Sequence, residues 1–514
     1  MGRVITDGMT LTKAREASPG VLPAQPTWHQ LEPNSISAFG TTISTTVRAP
    51  ISKSRARRRG KVTDLDSAVS FEADLTMQHI RAHAEEFCFA RAIGAPYFSP
   101  SAAASTGTPG YVVPSLSAAQ AALLFANSGS GTGTLLYARG FVNPVNNGIK
   151  LFSAAPAAGD TTLQVAGLVA ETLAASTAAE VAVAGYRAGA GDLGIDGDGN
   201  LLSKSTSFVA LGIAVGQVIH VGGVDLAHRF AHANNFGFAR VLAVAGNKLT
   251  LSKRDQPFTA DDGTSTGAGG AAIQIDLLFG QFVRNVDVGS ADYVEYTSQF
   301  ELASPNLLDG GATGYEYAIG NYANEMTIAI PLTGKATVTL GYIGYNTLPP
   351  TALRATNAAV AKVGGREESF GTASDIARIR LQDVDETGLT TDFKSASFSL
   401  KNGDTAEKVL GRLGPRYINL GILNVDLTNQ MLFTNALVLD RIRLNKVTGY
   451  DTALRNGDGG FVLDLPTGTM SGGGREYPAN QSVLLNDVFQ AYQDDAYGYT
   501  VGFSFFPVLP APTA

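Results

Sequence analysis

The sequence is short of the residues on which most enzymes and membrane proteins depend. Cys88 is the only cysteine, which excludes an intramolecular disulfide and a cysteine-based zinc site. It falls in a stretch with helical periodicity and reads as core filler. No run of about 18 apolar residues occurs, so no membrane-spanning helix is expected. Residues 1–22 hold no apolar stretch of signal-peptide length, and the chain reads as one made in a cytoplasm. Charge is scarce: 16% of residues are charged and the net charge is −7. That balance gives no basic excess for wrapping DNA or coating an anionic membrane. No Gly-x-x-x-x-Gly-Lys-Ser/Thr phosphate loop is present, and the glycines of 129–133 lie in a Ser/Thr-rich loop.

What is present is a β-rich, loop-rich composition, with 58 Gly and 44% hydrophobic residues in a chain of 514. At about 150 residues per domain, the length suggests roughly three domains. Few charges among many Ala, Thr, Ser and Gly suit a protein buried in an assembly.

One pattern occurs twice. Asp74-Leu75-Thr76-Met77-Gln78 recurs as Asp426-Leu427-Thr428-Asn429-Gln430, an offset of 426 − 74 = 352. Upstream, Phe71, Ala73 and Leu75 alternate with polar residues, as do Leu423, Val425 and Leu427, the period of a strand with one buried face. Downstream, Ile80, Ala84 and Phe87 fall at i, i+4 and i+7, and Leu432, Ala436 and Leu439 repeat that helical stripe. Both copies are therefore expected to pass from strand to helix at the same Thr, acting as N-cap.

The repeat extends in both directions. Ile43, Thr45 and Val47 predict an earlier strand, matched by Ala396, Phe398 and Leu400, with long loops at 50–66 and 403–419. Later, 326–331 resembles 461–466, and 339–343 resembles 500–504. The expected organisation is a discontinuous first domain (30–100 and 272–347), an inserted β-rich domain (101–271), a linker (348–391) and a compact second domain (392–510). Inside the insert, 217–221 reads as a strand. Residues 238–245 and 248–251 read as a hairpin turning at Gly246-Asn247, part of a barrel-like module around 205–255.

Candidate chemistry is sparse. Asp192, Asp196, Asp198 and Asn200 could wrap a calcium ion, but no Glu stands at the twelfth position of such a loop, and an Asp-Gly turn is favoured. His220, His228 and His232 are close in sequence but carry no Glu between His228 and His232 to act as base. His29, His79 and His83 belong to no Ser or Asp constellation. No catalytic residue, cofactor or metal is assigned. The strongest charge feature is Arg55, Arg57, Arg58 and Arg59, in the first long loop. Arginine clusters bind carboxylates or phosphates. A solvated loop and a contact with an acidic protein surface are the main readings. Nucleic acid is a weaker one, because 51–66 has no aromatic residue for stacking.

The chain also resembles the tail tube proteins of long, non-contractile-tailed bacteriophages (siphophages). Glu32-Pro33-Asn34-Ser35-Ile36-Ser37, the basic loop and Val62-Thr63-Asp64-Leu65-Asp66 look like that family's N-terminal block. Tyr315-Glu316-Tyr317-Ala318-Ile319-Gly320 and Leu413-Gly414-Pro415-Arg416-Tyr417-Ile418 look like two others. The resemblance covers most of the chain outside about 101–205. It implies a mainly β fold, with tandem tail-tube β-sandwich domains each flanked by an α-helix and a β-rich insert in the first. It further implies homotrimeric, pseudo-hexameric rings stacked into a tube in the virion tail, after assembly in the host cytoplasm. The partners it implies are the tape measure, tail terminator and tail tip proteins, with DNA passing through the lumen without specific binding. The loop with Arg55, Arg57, Arg58 and Arg59 then maps to the contact between rings. The alternative reading is a surface-exposed decoration or receptor-binding virion protein. A metal-dependent hydrolase using the 192–232 acids and histidines comes third.

Overall fold

The computed structural model describes residues 6–510 except 7, 25, 49–50, 52–55, 57, 128–130, 175–178, 253–257, 266–269, 309–310, 356–366, 384–387, 390–391 and 435. The first half of the chain supplies β1 (Thr10–Arg15), β2 (Pro33–Val47), β3 (Gly60–Asp74) and helix α1 (Met77–Cys88). After the insert it adds β4 (Gln281–Arg284), β5 (Ser298–Ser304), β6 (Gly314–Ile330) and β7 (Thr337–Gly344). The second half supplies β8 (Ile376–Asp383), β9 (Phe393–Lys401), the short β10 (Thr405–Lys408) and β11 (Pro415–Asn419), and β12 (Asn424–Leu432). Helix α2 (Leu437–Arg443), β13 (Val447–Asn456), β14 (Gly459–Glu476), β15 (Leu484–Ala491) and β16 (Gly502–Phe506) complete it.

Eight of these strands form one antiparallel run, β2–β3–β7–β6–β9–β12–β15–β14. Its first four strands come from the first half and its last four from the second, in matching order. In each set the second strand is followed by a helix, and the third and fourth form a hairpin. The long β6 and β14 leave this sheet at their N-terminal ends to enter a second layer. There β6 pairs with β5, which pairs with β1, while β14 pairs with β13 and β16. Apolar residues at every second position close the space between the layers. Phe71, Leu340, Ile328, Phe398 and Leu427 belong to a single core running through both halves. Helix α1 lays Ile80, Ala84 and Phe87 on it, and Cys88 is buried filler there.

The insert has two apolar cores of its own. Its strands include Val218–Val221, and Gly237–Val244 paired with Lys248–Leu251. It is held firmly on the second half. Arg240 pairs with Asp464, the Tyr499 hydroxyl donates to the Gly216 carbonyl (2.9 Å), and the Val218 amide donates to Ser504 Oγ (2.9 Å). The chain leaving the insert, β4, pairs directly with β16.

Several expectations change. Thr76 does cap α1, its side chain accepting from the His79 amide at 3.1 Å. Thr428, by contrast, is an exposed residue inside β12, and α2 starts only at Leu437. Alternation in the second copy continues through buried Leu427 and Met431, so pairing with β9 and β15 carries the strand onward. Asp74 faces Thr337 where Leu432 faces Leu484. The structural offset is thus 432 − 74 = 358, six residues beyond the sequence echo. Leu432 then lies in a strand rather than on a helix, and α2 buries Val438 and Arg441 instead of the predicted stripe. The later echoes slip as well: Pro331, just after β6, corresponds to Pro478 after β14, not to Pro466. Finally, 60–66 is strand rather than loop, and Ile43 is 56% exposed. The Thr-rich stretch there has strand propensity without a buried face. The stretch 348–391, expected as a linker, contains β8 and the fully buried Phe370.

Candidate functional site

The surfaces that can do work here are the edges and faces of the eight-strand sheet. Where the halves meet, β6 pairs with β9 from Glu325↔Lys401 to Ile330↔Ala396. On the core side Met326, Ile328 and Ile330 meet Ala396, Phe398 and Leu400, all buried. On the other side Glu325 and Lys401 form an ion pair at 2.9 Å. At the two ends of the run the equivalent edges are open. Among the described residues β2 pairs only with β3, and β14 beyond Thr469 pairs only with β15.

The face opposite the core is polar because strand periodicity sends every second residue there. Ser70, Thr327, Thr339, Ser397, Thr428 and Gln430 occupy it, half-buried or exposed. Its charges are paired where Glu325 meets Lys401 and Asp74 meets Lys335 (2.9 Å). Hydroxyls and amides dominate, with no aromatic side chain among those positions.

Beyond Thr41 and Ser67 the β2–β3 hairpin projects as an arm with both faces in solvent, exposing Ile43 and Val62. Arg58 and Arg59 are exposed at its end, while Arg55 and Arg57 lie outside the described residues. The second expected loop, 403–419, folds as the β10–β11 hairpin and leans on this arm. Lys408 Nζ donates to Asp64 (2.7 Å) and Asp66 (2.6 Å), and the first contact holds the Asp64 carboxyl below its ordinary pKa.

The candidate chemical residues serve the fold. Asp196 accepts from the Asp198 and Asn200 amides and from Lys248 Nζ (2.9 Å), a closed Asp-Gly turn. Asp192 accepts from Ser203, Ser205 and Thr206. Burial alone would raise its pKa, but these donors bring it below the ordinary value. Nδ1 of His220 is 3.1 Å from the Gly222 carbonyl and Nδ1 of His228 is 3.1 Å from the Gln274 carbonyl, while His232 is exposed. Among the described residues no three His, Cys, Asp or Glu side chains converge as a metal site.

Sequence reasoning missed a buried polar cluster beside α1. Lys13, from the N-terminal strand, places Nζ 2.9 Å from His83 Nδ1 and from both oxygens of Glu86 on α1. The Tyr342 hydroxyl of β7 lies 3.0 Å from His83 Nδ1 and donates to Glu86 (3.2 Å). Burial, then the Lys13 charge, lowers His83 to a pKa of about 3, so the ring is neutral. The only sequence signal was a His and a Glu three apart on the apolar side of a helix. No local pattern names the lysine 70 residues away.

A comparison with protein families matches the one described as phage tail tube protein over residues 6–491, nearly the whole chain. No curated protein matches the chain.

Proposed function

We propose, from the premise that the chain belongs to the phage tail tube protein family, that each copy supplies two of six related wall segments in a trimeric ring. Family membership gives the chain a structural role in the virion tail and self-association into a tube. The observation that carries the finer reading is the eight-strand run. Two four-strand sets of identical order join inside the chain and leave matching edges open at both ends. Such a heterologous repeat closes into a ring when its rotation permits. Residues 30–100 with 272–347 form the first tube domain, 392–510 the second, 101–271 the outward insert and 348–391 the connection.

The dimensions are consistent with a conduit. Three copies bring about 24 strands at about 4.8 Å each, tilted by about 40° as in barrels, for a backbone diameter of about 48 Å. Side chains on the inner face leave a channel about 38 Å wide, roomy for a hydrated DNA duplex. We assign the Ser/Thr/Gln face to that channel. DNA grips proteins through lysine and arginine on its phosphates, and a hydroxyl and amide face whose Lys335 and Lys401 are held by Asp74 and Glu325 lets it slide. The ring is the conduit for genome delivery, stacked on its neighbours through the Arg55–Arg59 arm, with the tape measure, tail terminator and tail tip proteins as its partners.

Native mass spectrometry of purified protein under several salt conditions tests the stoichiometry. Species in multiples of three chains support the ring. A stable monomer at all concentrations and salts refutes it.

A further inference from the structure

The internal junction is a template for the contact between copies. Matching the β7–β3 and β15–β12 pairings aligns Thr337 with Leu484, and the hairpins then align Ala329 with Glu476 and Glu325 with Ser471. Both long strands also carry a bulge in this region, Ala323/Glu325 in β6 and Gly472/Gly474 in β14, two residue pairs apart in this alignment. The β2–β3 and β9–β12 pairings likewise align Ala38 with Ser397 and Thr42 with Lys401.

We propose that β14 of one copy pairs antiparallel with β2 of a second copy, Ser471 opposite Thr42 and Glu476 opposite Ala38, with Tyr477 as plug. This rests on the tube reading and specifies the surfaces it uses. A second observation supports it independently. Tyr477 occupies the position of Ile330, which is 8% exposed at the internal junction, yet Tyr477 is 66% exposed. Its counterpart across the junction, Ala396, corresponds to Ile36. Beside Ile36 lies a groove of about 1000 Å³, lined on its apolar side by Met9, Leu11, Leu31, Phe39 and Leu302. An exposed aromatic at the end of one open edge thus corresponds to a groove with an apolar floor and a polar rim at the start of the other. Burying the tyrosine there removes both from water. Its hydroxyl can reach the polar rim at Gln30 and Lys335.

Directly opposed strand residues have Cβ atoms close enough for a disulfide, and the single native cysteine is buried. Ala38→Cys combined with Glu476→Cys is expected to oxidise to covalent trimers on non-reducing gels, as is Thr42→Cys with Ser471→Cys. Each single variant and the mismatched pair Thr42→Cys with Glu476→Cys remain uncrosslinked. Tyr477→Ala is expected to raise the concentration needed for assembly at least tenfold while leaving the monomer's melting temperature unchanged. Electron microscopy of the same samples separates the two levels of the account. Tubes without crosslinks in either matched pair, or with better linkage in the mismatched pair, overturn the register while the tube reading stands. Wild-type protein that never assembles overturns both.

Discussion

Lys13 Nζ lies 2.9 Å from both carboxylate oxygens of Glu86, and each side chain is about 5% exposed. The pair fastens the N-terminal strand to α1. Removing one partner strands the other charge in the core, so Lys13→Ala is predicted to cost about 3–5 kcal/mol in urea unfolding. Replacing both with Met and Leu is predicted to recover most of that loss. Equal losses for the single and double variants would contradict this account of the cluster.

The two threonines of the sequence echo separate cleanly by mutation. Thr76→Ala removes a helix N-cap and is expected to lower stability by about 1 kcal/mol. Thr428→Ala, on an exposed strand position, is expected to change it by less than about 0.5 kcal/mol. Chemical denaturation of both variants checks the difference.

Two buried groups set opposite pH limbs. His83 stays neutral, with its folded pKa near 3 against an unfolded value near 6.5. Its contribution is complete above pH 6.5 and is lost as pH falls toward 3. Burial raises Asp487 to about 7, despite the Asn429 amide 3.4 Å away. The unfolded chain gives up that proton near pH 3.9, so stability falls as pH rises from there to 7. Asp487→Asn is therefore predicted to stabilise the protein at pH 8 by roughly 1–4 kcal/mol and to make little difference at pH 4. Urea midpoints at the two pH values decide it.

Much of the body was legible in the sequence, because strand alternation with one buried face leaves a period-two signature. Phe71, Ala73 and Leu75 in one half, and Ala396, Phe398 and Leu400 in the other, all lie in the core as that pattern requires. The register of the duplication was not legible. Asp-Leu-Thr is a good strand-to-helix signal only when alternation stops there, as it does at Thr76. In β12 the alternation runs on to Met431, and its polar member Asn429 is buried beside Asp487. The arm was hidden for the opposite reason: Ile43, Thr45 and Val47 suggest a buried face that the fold leaves in water. The insert's anchorage depends on Arg240 and Asp464, 224 residues apart, a separation that no local pattern spans.

The arm makes a salt-sensitive prediction. Replacing Arg55, Arg57, Arg58 and Arg59 with Ser is expected to leave rings intact and shorten or abolish tubes, with wild-type tubes also losing length as salt rises. Sedimentation and negative-stain imaging across a salt series measure both effects. Full-length tubes from the quadruple variant would remove the arm from the contact between rings.

Cryo-electron microscopy of assembled protein decides how many chains make a ring and which face lines the channel. The predicted result is a ring of three copies with six similar wall segments, the eight-strand sheets joined edge to edge and Ser70, Thr327 and Gln430 facing the lumen. A ring of six whole chains, or a wall with the core-side residues of those strands turned to the channel, would contradict it.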